Sequence, residues 1–177
     1  MKEYVIGFYN PIIEKADKLS EPTDLKLFEE ELISKITSLN EEVFIKYTSK
    51  TDEVREQIKD KFSDILEGKE EIAALWLECN TWKSLVAIDG EQKVVRNFSI
   101  EEDLTPKSFA PGKNNTPDME LYVDDTILIP EVSLMSGVQQ WEHEGSSVID
   151  HVMKFINANS SKNILGLFIS NSINIRT

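Results

Sequence analysis

The sequence contains few of the residues that crosslink small secreted proteins or bind zinc. It has one cysteine, Cys79, among 177 residues, so no disulfide can form within the chain. A single cysteine is typical of proteins in a reducing compartment. The two histidines, His143 and His151, are too few for a histidine-rich zinc site.

Basic residues are also scarce, and no segment has the composition of a membrane span or an export signal. The chain has 19 Lys and Arg against 32 Asp and Glu, which gives a net charge of −13. This balance excludes a generally basic nucleic-acid binder and a polybasic membrane-surface protein. The longest uncharged stretch, 163–175, contains polar residues and is too short to cross a bilayer. We therefore expect a cytoplasmic α/β protein with no membrane partner.

The first part of the sequence, residues 1–69, predicts a helical leader that serves as a linker or interface region. Two segments place apolar residues at steps of three and four, which is typical of helices with one buried face. These residues are Leu25, Phe28, Leu32 and Ile36 in one segment and Val54, Ile58, Phe62 and Ile65 in the other. Thr51 is the expected N-cap of the second helix, and Gly68 is its expected end.

A third helix is predicted over residues 70–88, and it carries an acid beside its apolar stripe. The stripe consists of Ile72, Leu75, Cys79, Trp82 and Val86. Glu78 lies at the edge of this stripe rather than on the opposite face. Taken alone, a glutamate in a helix is more often solvated or paired with a lysine than functional.

The next part of the sequence predicts a β-hairpin that brings two acids together. Residues 117–123 alternate apolar and polar side chains, and residues 126–134 continue as a second strand. If Asp124 and Asp125 form a two-residue turn, Val123 pairs with Thr126, and Asp118 lies opposite Glu131.

Two carboxylates in opposed positions either bind a cation or repel each other. Directly opposed side chains have Cβ atoms roughly 5 Å apart. Carboxylate oxygens without a histidine cluster favour Mg²⁺ over zinc. Ser133 points to the same face as Glu131, whereas Pro130 implies an edge position or a bulge that would shift the register. With 32 acids in the chain, a chance pair on one hairpin remains the alternative.

A fourth helix is predicted from Ser136 to about Asn157, with Ser136 and Gln139 as a capping box. The residues on its core face are Glu144, Val148, His151 and Phe155. A core histidine is usually just hydrogen-bonded, but His151 shares its face with an acid and lies beside the two strand carboxylates.

The last predicted strand, residues 163–170, is a nearly continuous apolar run of the kind buried on both faces of a sheet. An earlier strand is predicted over 94–100. The core order is then αβββαβ, and the passage from 126 to 170 would be a right-handed crossover.

This order and these motifs resemble the PD-(D/E)xK nucleases, and more specifically the cleavage domains of the AlwI and BstNBI group of type IIS restriction and nicking endonucleases. The resemblance covers about residues 71–170. The residues that carry it are Glu78-Cys79-Asn80-Thr81-Trp82, Pro117-Asp118-Met119-Glu120, Glu131-Val132-Ser133-Leu134, Gly137, Gln140, Glu144-Gly145 and Val148 to His151. The fold it implies is a mixed sheet flanked by helices, with 70–177 as the cleavage domain. Truncation of that domain at its C-terminus stays open.

The resemblance implies a Mg²⁺-dependent active site, with Mn²⁺ as a substitute. Asp118, Glu131 and the carbonyl of Val132 would bind the metal. Glu144 would orient or deprotonate the attacking water or bind a second ion, and Glu78 would contact the metal through water. His151 would orient Glu144 or contact the phosphate. Ser133 stands where the commonest superfamily pattern has lysine, which agrees with the AlwI-like subgroup.

The resemblance also implies double-stranded DNA as the substrate, in a prokaryotic cytoplasm. Affinity for DNA comes mainly from Lys and Arg contacts, which this acidic chain lacks. We therefore expect a DNA-recognition domain or subunit outside the chain, and a transient dimer for double-strand cleavage. The basic residues expected near the cleft are Lys83, Arg96, Lys107 and Lys113, each more often a surface charge than a phosphate contact.

Three hypotheses follow from the sequence. The first is a metal-dependent DNA endonuclease. The second is a catalytically silent nuclease-fold module that serves interaction or dimerisation through its leader. The third is an unrelated α/β scaffold in which the two carboxylates are opposed by accident.

Overall fold

The fold was derived from a computed structural model that describes residues 11–16, 22–88, 93–111 and 116–173. Residues 11–16 are helical. The other elements are the helices α1 (Pro22–Val43), a π-helical turn (Phe44–Thr48), α2 (Asp52–Leu66), α3 (Ala73–Ile88) and α4 (Gly137–Ala158), and the strands β1 (Lys93–Arg96), β2 (Ser99–Ile100), β3 (Pro106–Ser108), β4 (Met119–Val123), β5 (Thr126–Ser133) and β6 (Asn163–Ser170). Within the described ranges, no helix combines the length and apolarity that crossing a bilayer requires.

The main sheet has four strands in the order β1-β4-β5-β6. The β1–β4 and β4–β5 pairs are antiparallel, whereas β5 and β6 are parallel and α4 connects them. Strands β2 and β3 form a separate small hairpin between β1 and β4. The predicted αβββαβ order and mixed sheet are thus confirmed, with the small hairpin as an insertion.

The hairpin that joins β4 and β5 has the register predicted from its turn. Val123 pairs with Thr126, and Leu121 pairs with Leu128. Asp124 has a φ of 48°, the left-handed conformation that a tight two-residue turn requires. The side chains of Asp124 and Asp125 are exposed, so the turn lies at the surface.

The second helix of the leader begins and ends where the sequence indicates. The Oγ1 atom of Thr51 accepts a hydrogen bond from the Val54 N–H at 3.3 Å, which caps α2. Gly68 follows the helix with a φ of 72°, a conformation that glycine adopts without strain. In α1 the predicted stripe is less buried, because Leu25 is 51% exposed.

The main buried cluster joins the leader to one face of the sheet. Phe44 from the π-helical turn contacts Trp82 of α3 with ring centroids 5.4 Å apart, and Phe98 meets Trp82 edge-on at 6.4 Å. Met119 of β4 and Val86 complete the centre of this cluster. Helix α4 packs against the opposite face of the sheet, where Val152 closely approaches Gly166 of β6.

Two predicted boundaries and one predicted cap differ from the structure. Helix α3 begins at Ala73 rather than at residue 70, and Ile72 is half exposed instead of joining the stripe. The strand predicted over 94–100 is divided into β1 and β2, because Arg96 donates a hydrogen bond to the Phe98 carbonyl and turns the chain. Ser136 precedes α4 as predicted, but its side chain makes no capping hydrogen bond.

The prediction that the last strand is buried on both faces was wrong. Strand β6 lies at the edge of the described sheet, and α4 covers only one of its faces. Leu165 and Leu167 point to the other face and are 55% and 37% exposed. An apolar run indicates a strand, but it does not show how many neighbouring elements cover that strand.

Candidate active site

A cavity of about 640 Å³ lies where α3, β4, β5 and α4 meet. All five candidate side chains from the sequence line it, and so does Val132. They are Glu78 from α3, Asp118 immediately before β4, Glu131 from β5, and Glu144 and His151 from α4. The structure thus brings together in one cavity residues that span more than 70 positions of the sequence.

Glu78 is buried in the wall of this cavity rather than solvated, so the expectation drawn from the residue alone was wrong. Its Oε2 atom accepts a hydrogen bond from the Ala110 N–H at 3.4 Å. Burial raises the pKa of Glu78 to about 8, and the charges of Asp118 and Glu144 add to this shift. A group with such a pKa can gain or lose a proton near neutral pH.

The carboxylates of Asp118 and Glu131 each accept a hydrogen bond from a backbone N–H of the neighbouring segment. The Val132 N–H donates to Oδ2 of Asp118 at 2.9 Å, and the Asp118 N–H donates to Oε2 of Glu131 at 3.3 Å. These bonds continue the hairpin beyond the Leu121–Leu128 pair. Pro130 has no N–H to donate at this point, which explains why side chains replace backbone pairing.

The pKa values of Asp118 and Glu131 are both raised. Burial is the largest cause for each, because a low-dielectric environment disfavours the charged form. Repulsion from Asp118 raises the pKa of Glu131 further, and Glu144 raises both pKa values. The pair therefore favours holding a proton, unless a cation compensates its charge.

His151 extends from α4 to the same carboxylate. Its Nδ1 atom contacts Oε1 of Glu131 in a close interaction, and both side chains are almost completely buried. Burial lowers the pKa of His151, and the nearby charge of Lys154 lowers it further. The shifts of Glu131 and His151 both favour the neutral forms of this pair.

Glu144 lies two helical turns before His151 on α4 and is half-buried at the cavity. Ser133 also lines the cavity, and its Oγ atom accepts a hydrogen bond from the Met135 N–H at 3.0 Å. Ser133 therefore stabilises the turn after β5.

The donor set fits a hard divalent cation at Asp118 and Glu131, because both offer carboxylate oxygens at a buried site with uncompensated repulsion. Among the described residues, however, no group of three or more His, Cys, Asp or Glu side chains has the geometry of a metal site. A metal at this position would need the two carboxylates to be completed by backbone oxygen or water.

Three of the four basic residues expected near the cleft are described, and they lie elsewhere. Arg96 forms a two-bond ion pair with Glu41, at 2.9 and 2.7 Å, and Lys107 pairs with Glu101 at 3.0 Å. Lys83 lines a different cavity between α2 and α3, and Lys113 lies outside the described residues. In the described part of the chain, the walls of the acidic cavity contain neither lysine nor arginine.

Sequence reasoning missed two polar residues near the site. Gln140 was noted only within the motif series, yet it is fully buried and donates to the Met135 carbonyl at 3.0 Å and the Ser172 carbonyl at 2.7 Å. Asn97 was not noted at all, although it contacts the segment that carries Asp118. An uncharged residue without a periodic pattern gives no local signal of this kind.

Comparison with known proteins identifies a matching family and a similar solved structure. The family model described as AlwI restriction endonuclease matches residues 13–177, which includes most of the leader. No curated protein sequence matches the chain. The structure is similar to the small subunit (R.BspD6I2) of the heterodimeric restriction endonuclease R.BspD6I, with a TM-score of 0.58 and 22% identity.

That structural match covers 65% of this chain and 60% of the small subunit. At this identity, it shows that the two proteins share a fold. The family match is independent of it and extends over most of the chain. The chain belongs to the AlwI restriction endonuclease family.

Proposed function

We propose that the chain is the catalytic part of a Mg²⁺-dependent DNA endonuclease, of the type IIS restriction or nicking kind, that hydrolyses phosphodiester bonds. The observation that carries this proposal is that backbone hydrogen bonds hold the carboxylates of Asp118 and Glu131 in one cavity. Glu78, Glu144 and His151 also line this cavity. Family membership supports a restriction-type nuclease.

In this proposal, Asp118, Glu131 and the carbonyl of Val132 hold Mg²⁺, and Mn²⁺ can replace it. When bound, the ion supplies charge neutralisation at the scissile phosphate and lowers the pKa of a bound water. Asp118 and Glu131 must both be ionised to bind it, because only ionised carboxylates are good ligands. His151, as the contact of Glu131, orients that carboxylate and accepts or releases a proton at Nδ1.

Glu144 and Glu78 would handle the remaining proton transfers. Glu144 is half-buried at the cavity, so it can orient the attacking water or accept its proton. Glu78 has a pKa of about 8 and can contact the metal through water. Because position 133 is a serine rather than a lysine, Glu144 is the candidate base in the cavity.

The substrate we propose is double-stranded DNA, delivered by a recognition domain or subunit outside this chain. The net charge of −13 and the acidic cavity give little affinity for a polyanion. The similar structure is one subunit of a heterodimeric enzyme, which is consistent with a partner. A transient dimer would permit cleavage of both strands. A restriction-type role is consistent with the cytoplasm of a prokaryotic cell.

The test is cleavage of supercoiled plasmid by the full chain at high protein concentration, with Mg²⁺ and with a chelator instead. We expect slow conversion to nicked or linear plasmid with Mg²⁺ and no conversion with the chelator. Asp118→Ala should abolish cleavage, whereas Asp125→Ala, an exposed acid in the hairpin turn, should cleave as wild type does. Metal-independent cleavage, or wild-type activity in Asp118→Ala, would contradict the proposal.

The alternative is a catalytically silent nuclease-fold module for interaction or dimerisation. It is favoured by the lack of a three-ligand metal group among the described side chains and by the close contact of His151 with Glu131. Isothermal titration with Mg²⁺ separates the two functions. A well-folded wild-type protein that binds no Mg²⁺ would support the silent module.

A further inference from the structure

We propose that Asn97 is a positioning residue that fixes Asp118 for metal binding, and that the leader holds Asn97 in place. This inference rests on the proposed function, because it concerns the same carboxylate. Asn97 lies between β1 and β2, at the point where the chain turns away from the main sheet. It is half-buried.

Asn97 contacts the Asp118 segment through its backbone and its side chain. The Asn97 N–H donates to the Asp118 carbonyl at 3.0 Å, one residue beyond the Arg96–Met119 pair that ends the β1–β4 ladder. Its Nδ2 atom donates to the Pro117 carbonyl at 3.0 Å. Asn97 therefore anchors both of the peptide groups that flank the Cα atom of Asp118.

These bonds matter because Asp118 lies just before β4 rather than within it. The β4–β5 ladder ends at Leu121 and Leu128, so on that side Asp118 is held by the two bonds that its own carboxylate and N–H make with β5. If the Asp118 backbone moved, its carboxylate would leave the Val132 N–H and its position opposite Glu131. Asn97 supplies the restraint from the β1 side.

A second contact fixes the rotamer of Asn97. Its Nδ2 atom also donates to Oε1 of Glu120 at 3.2 Å, and Glu120 accepts a further hydrogen bond from the Tyr122 hydroxyl. Asn97, Asp118 and Glu120 lie on the same face of the sheet as Glu131, which follows from the alternation along β4 and β5. The Asn97 amide is therefore oriented by Glu120, which lies on the same face of the sheet as the Asp118 that Asn97 supports.

The leader holds the turn that contains Asn97. Arg96 donates two hydrogen bonds to Glu41 of α1, at 2.9 and 2.7 Å, and a third to the Phe98 carbonyl at 2.7 Å. The residues on both sides of Asn97 are thereby connected to α1. This gives the leader a structural route to Asp118, through Glu41, Arg96 and Asn97.

The experiment is a titration of the full chain with Mn²⁺ alone, without DNA, for wild type, Asn97→Ala and Asn97→Asp. The alanine variant removes the side-chain donor, and the aspartate variant keeps its shape but places a carboxylate against the Pro117 carbonyl and Glu120. Loss of a residue that orients a metal ligand typically weakens metal affinity about 10- to 100-fold. We expect a weakening in this range for both variants.

The matched control is Asn40→Ala, which removes a similar bond from Nδ2 to the Glu102 carbonyl, 2.7 Å long, on the leader. It should leave Mn²⁺ affinity unchanged. Thermal unfolding of the metal-free proteins distinguishes a positioning role from a purely structural one. A structural role would lower the unfolding temperature while the folded fraction binds Mn²⁺ normally. Cleavage by Asn97→Ala should also recover at saturating Mn²⁺, because the metal ligands themselves are intact.

The outcomes separate this inference from the proposed function. Wild-type Mn²⁺ affinity in folded Asn97→Ala or Asn97→Asp would overturn the positioning role and leave the proposed function standing. If Asn97→Ala does not fold, the isosteric Asn97→Asp decides alone. Absence of Mn²⁺ binding in wild type would overturn the proposed function, and this inference with it.

Discussion

At the scale of single residues, the proposed chemistry depends on the protonation of a few buried acids. Glu78, Asp118 and Glu131 all have raised pKa values, chiefly because burial disfavours their charged forms. Each acid costs free energy of folding when it is buried in its charged form. In the proposed function, a bound cation would compensate for that charge.

The first prediction concerns the residue that activates water. Glu144→Gln should lower the cleavage rate by roughly 10²- to 10⁴-fold, the usual contribution of a general base, because the amide keeps the shape but cannot accept the proton. Asp118→Asn and Glu131→Gln should cost as much or more, since they remove charge from the metal ligands. The measurement is a cleavage time course at saturating Mg²⁺.

Ser133→Ala serves as the comparison in that series. Its hydroxyl accepts a hydrogen bond from the Met135 N–H, so we expect a loss of about 1 kcal/mol in stability but little loss in rate. Full activity in Glu144→Gln, or a collapse of the rate in Ser133→Ala alone, would show that Glu144 is not the residue that activates water.

A second prediction concerns pH. The folded protein retains protons on Glu78, Asp118 and Glu131 that the unfolded chain releases. The metal-free free energy of unfolding should therefore fall as pH rises from about 4.5 towards 8. The lowered pKa of His151 acts in the opposite sense below 6.5, but it opposes three groups. Urea denaturation across this range, in the presence of a chelator, measures the slope.

The matched variants for this measurement are Glu78→Gln and Glu142→Gln. The first removes one titrating group and should make the slope shallower by at most about 1.4 kcal/mol per pH unit. The second changes an exposed acid on α4 and should leave the slope as in wild type. Stability that rises between pH 5 and 8 would show that the acids are not protonated in the folded state.

At the scale of elements, the packing of α4 on β6 determines where Glu144 and His151 lie. Gly166 permits this close approach, because a Cβ atom at that position would lie 2.8 Å from Cγ2 of Val152. Real Cβ atoms do not tolerate such a contact, so the Val152 side chain or α4 itself would have to shift. A shift of α4 would carry both site residues with it.

The third prediction is that Gly166→Ala destabilises the protein by roughly 1–3 kcal/mol, the usual cost of overpacking, and also lowers activity. Gly145→Ala is the control, since its Cβ atom would meet only Cδ1 of Trp141 at an ordinary 3.9 Å and alanine favours the helix. Chemical denaturation of both variants measures the difference. Equal stability of the two variants would show that β6 and α4 can separate at no cost.

The elements that the sequence predicted correctly are those with local signals. The Asp124-Asp125 turn determined the register of β4 and β5, and Thr51 and Gly68 marked the ends of α2. The exposure of β6 could not be predicted, because it depends on which elements lie beside the strand in space.

The candidate site was predictable to a similar degree. Asp118, Glu131, Glu144 and His151 could be found from side-chain chemistry and spacing, whereas Glu78 came only from the family resemblance. All five line one cavity. The Ala110 N–H that pairs with Glu78 is 32 positions away, and the contacts of Asn97 are equally remote from any motif. Such partners are set by tertiary structure, so no pattern in the sequence identifies them.

At the scale of the whole molecule, the net charge bears on how the chain would meet the proposed DNA substrate. The chain carries a net charge of −13, and its described lysines and arginines are mostly engaged with acids of the same molecule. Long-range repulsion between the protein and DNA should therefore limit the encounter rather than the chemistry.

The fourth prediction is that fusion of the full chain to a basic, sequence-specific DNA-binding domain lowers KM for DNA at least tenfold and leaves kcat within a few-fold. The fused domain supplies effective concentration and phosphate contacts without changing the active site. Initial rates over a range of DNA concentrations give both constants, and the fusion with Asp118→Ala is the inactive control. An unchanged KM would mean that DNA affinity does not limit the isolated chain.

The contact between Phe44 and Trp82 has a consequence for how this nuclease could be passed between proteins. A recombination event that transferred only the residues from 70 onwards would leave a void beside Trp82, and losing a buried phenylalanine side chain costs about 3–5 kcal/mol. That loss is a large fraction of a typical domain's stability. A transferred segment that keeps this contact would have to begin upstream of Phe44, so it would be longer than the stretch that bears the candidate site residues.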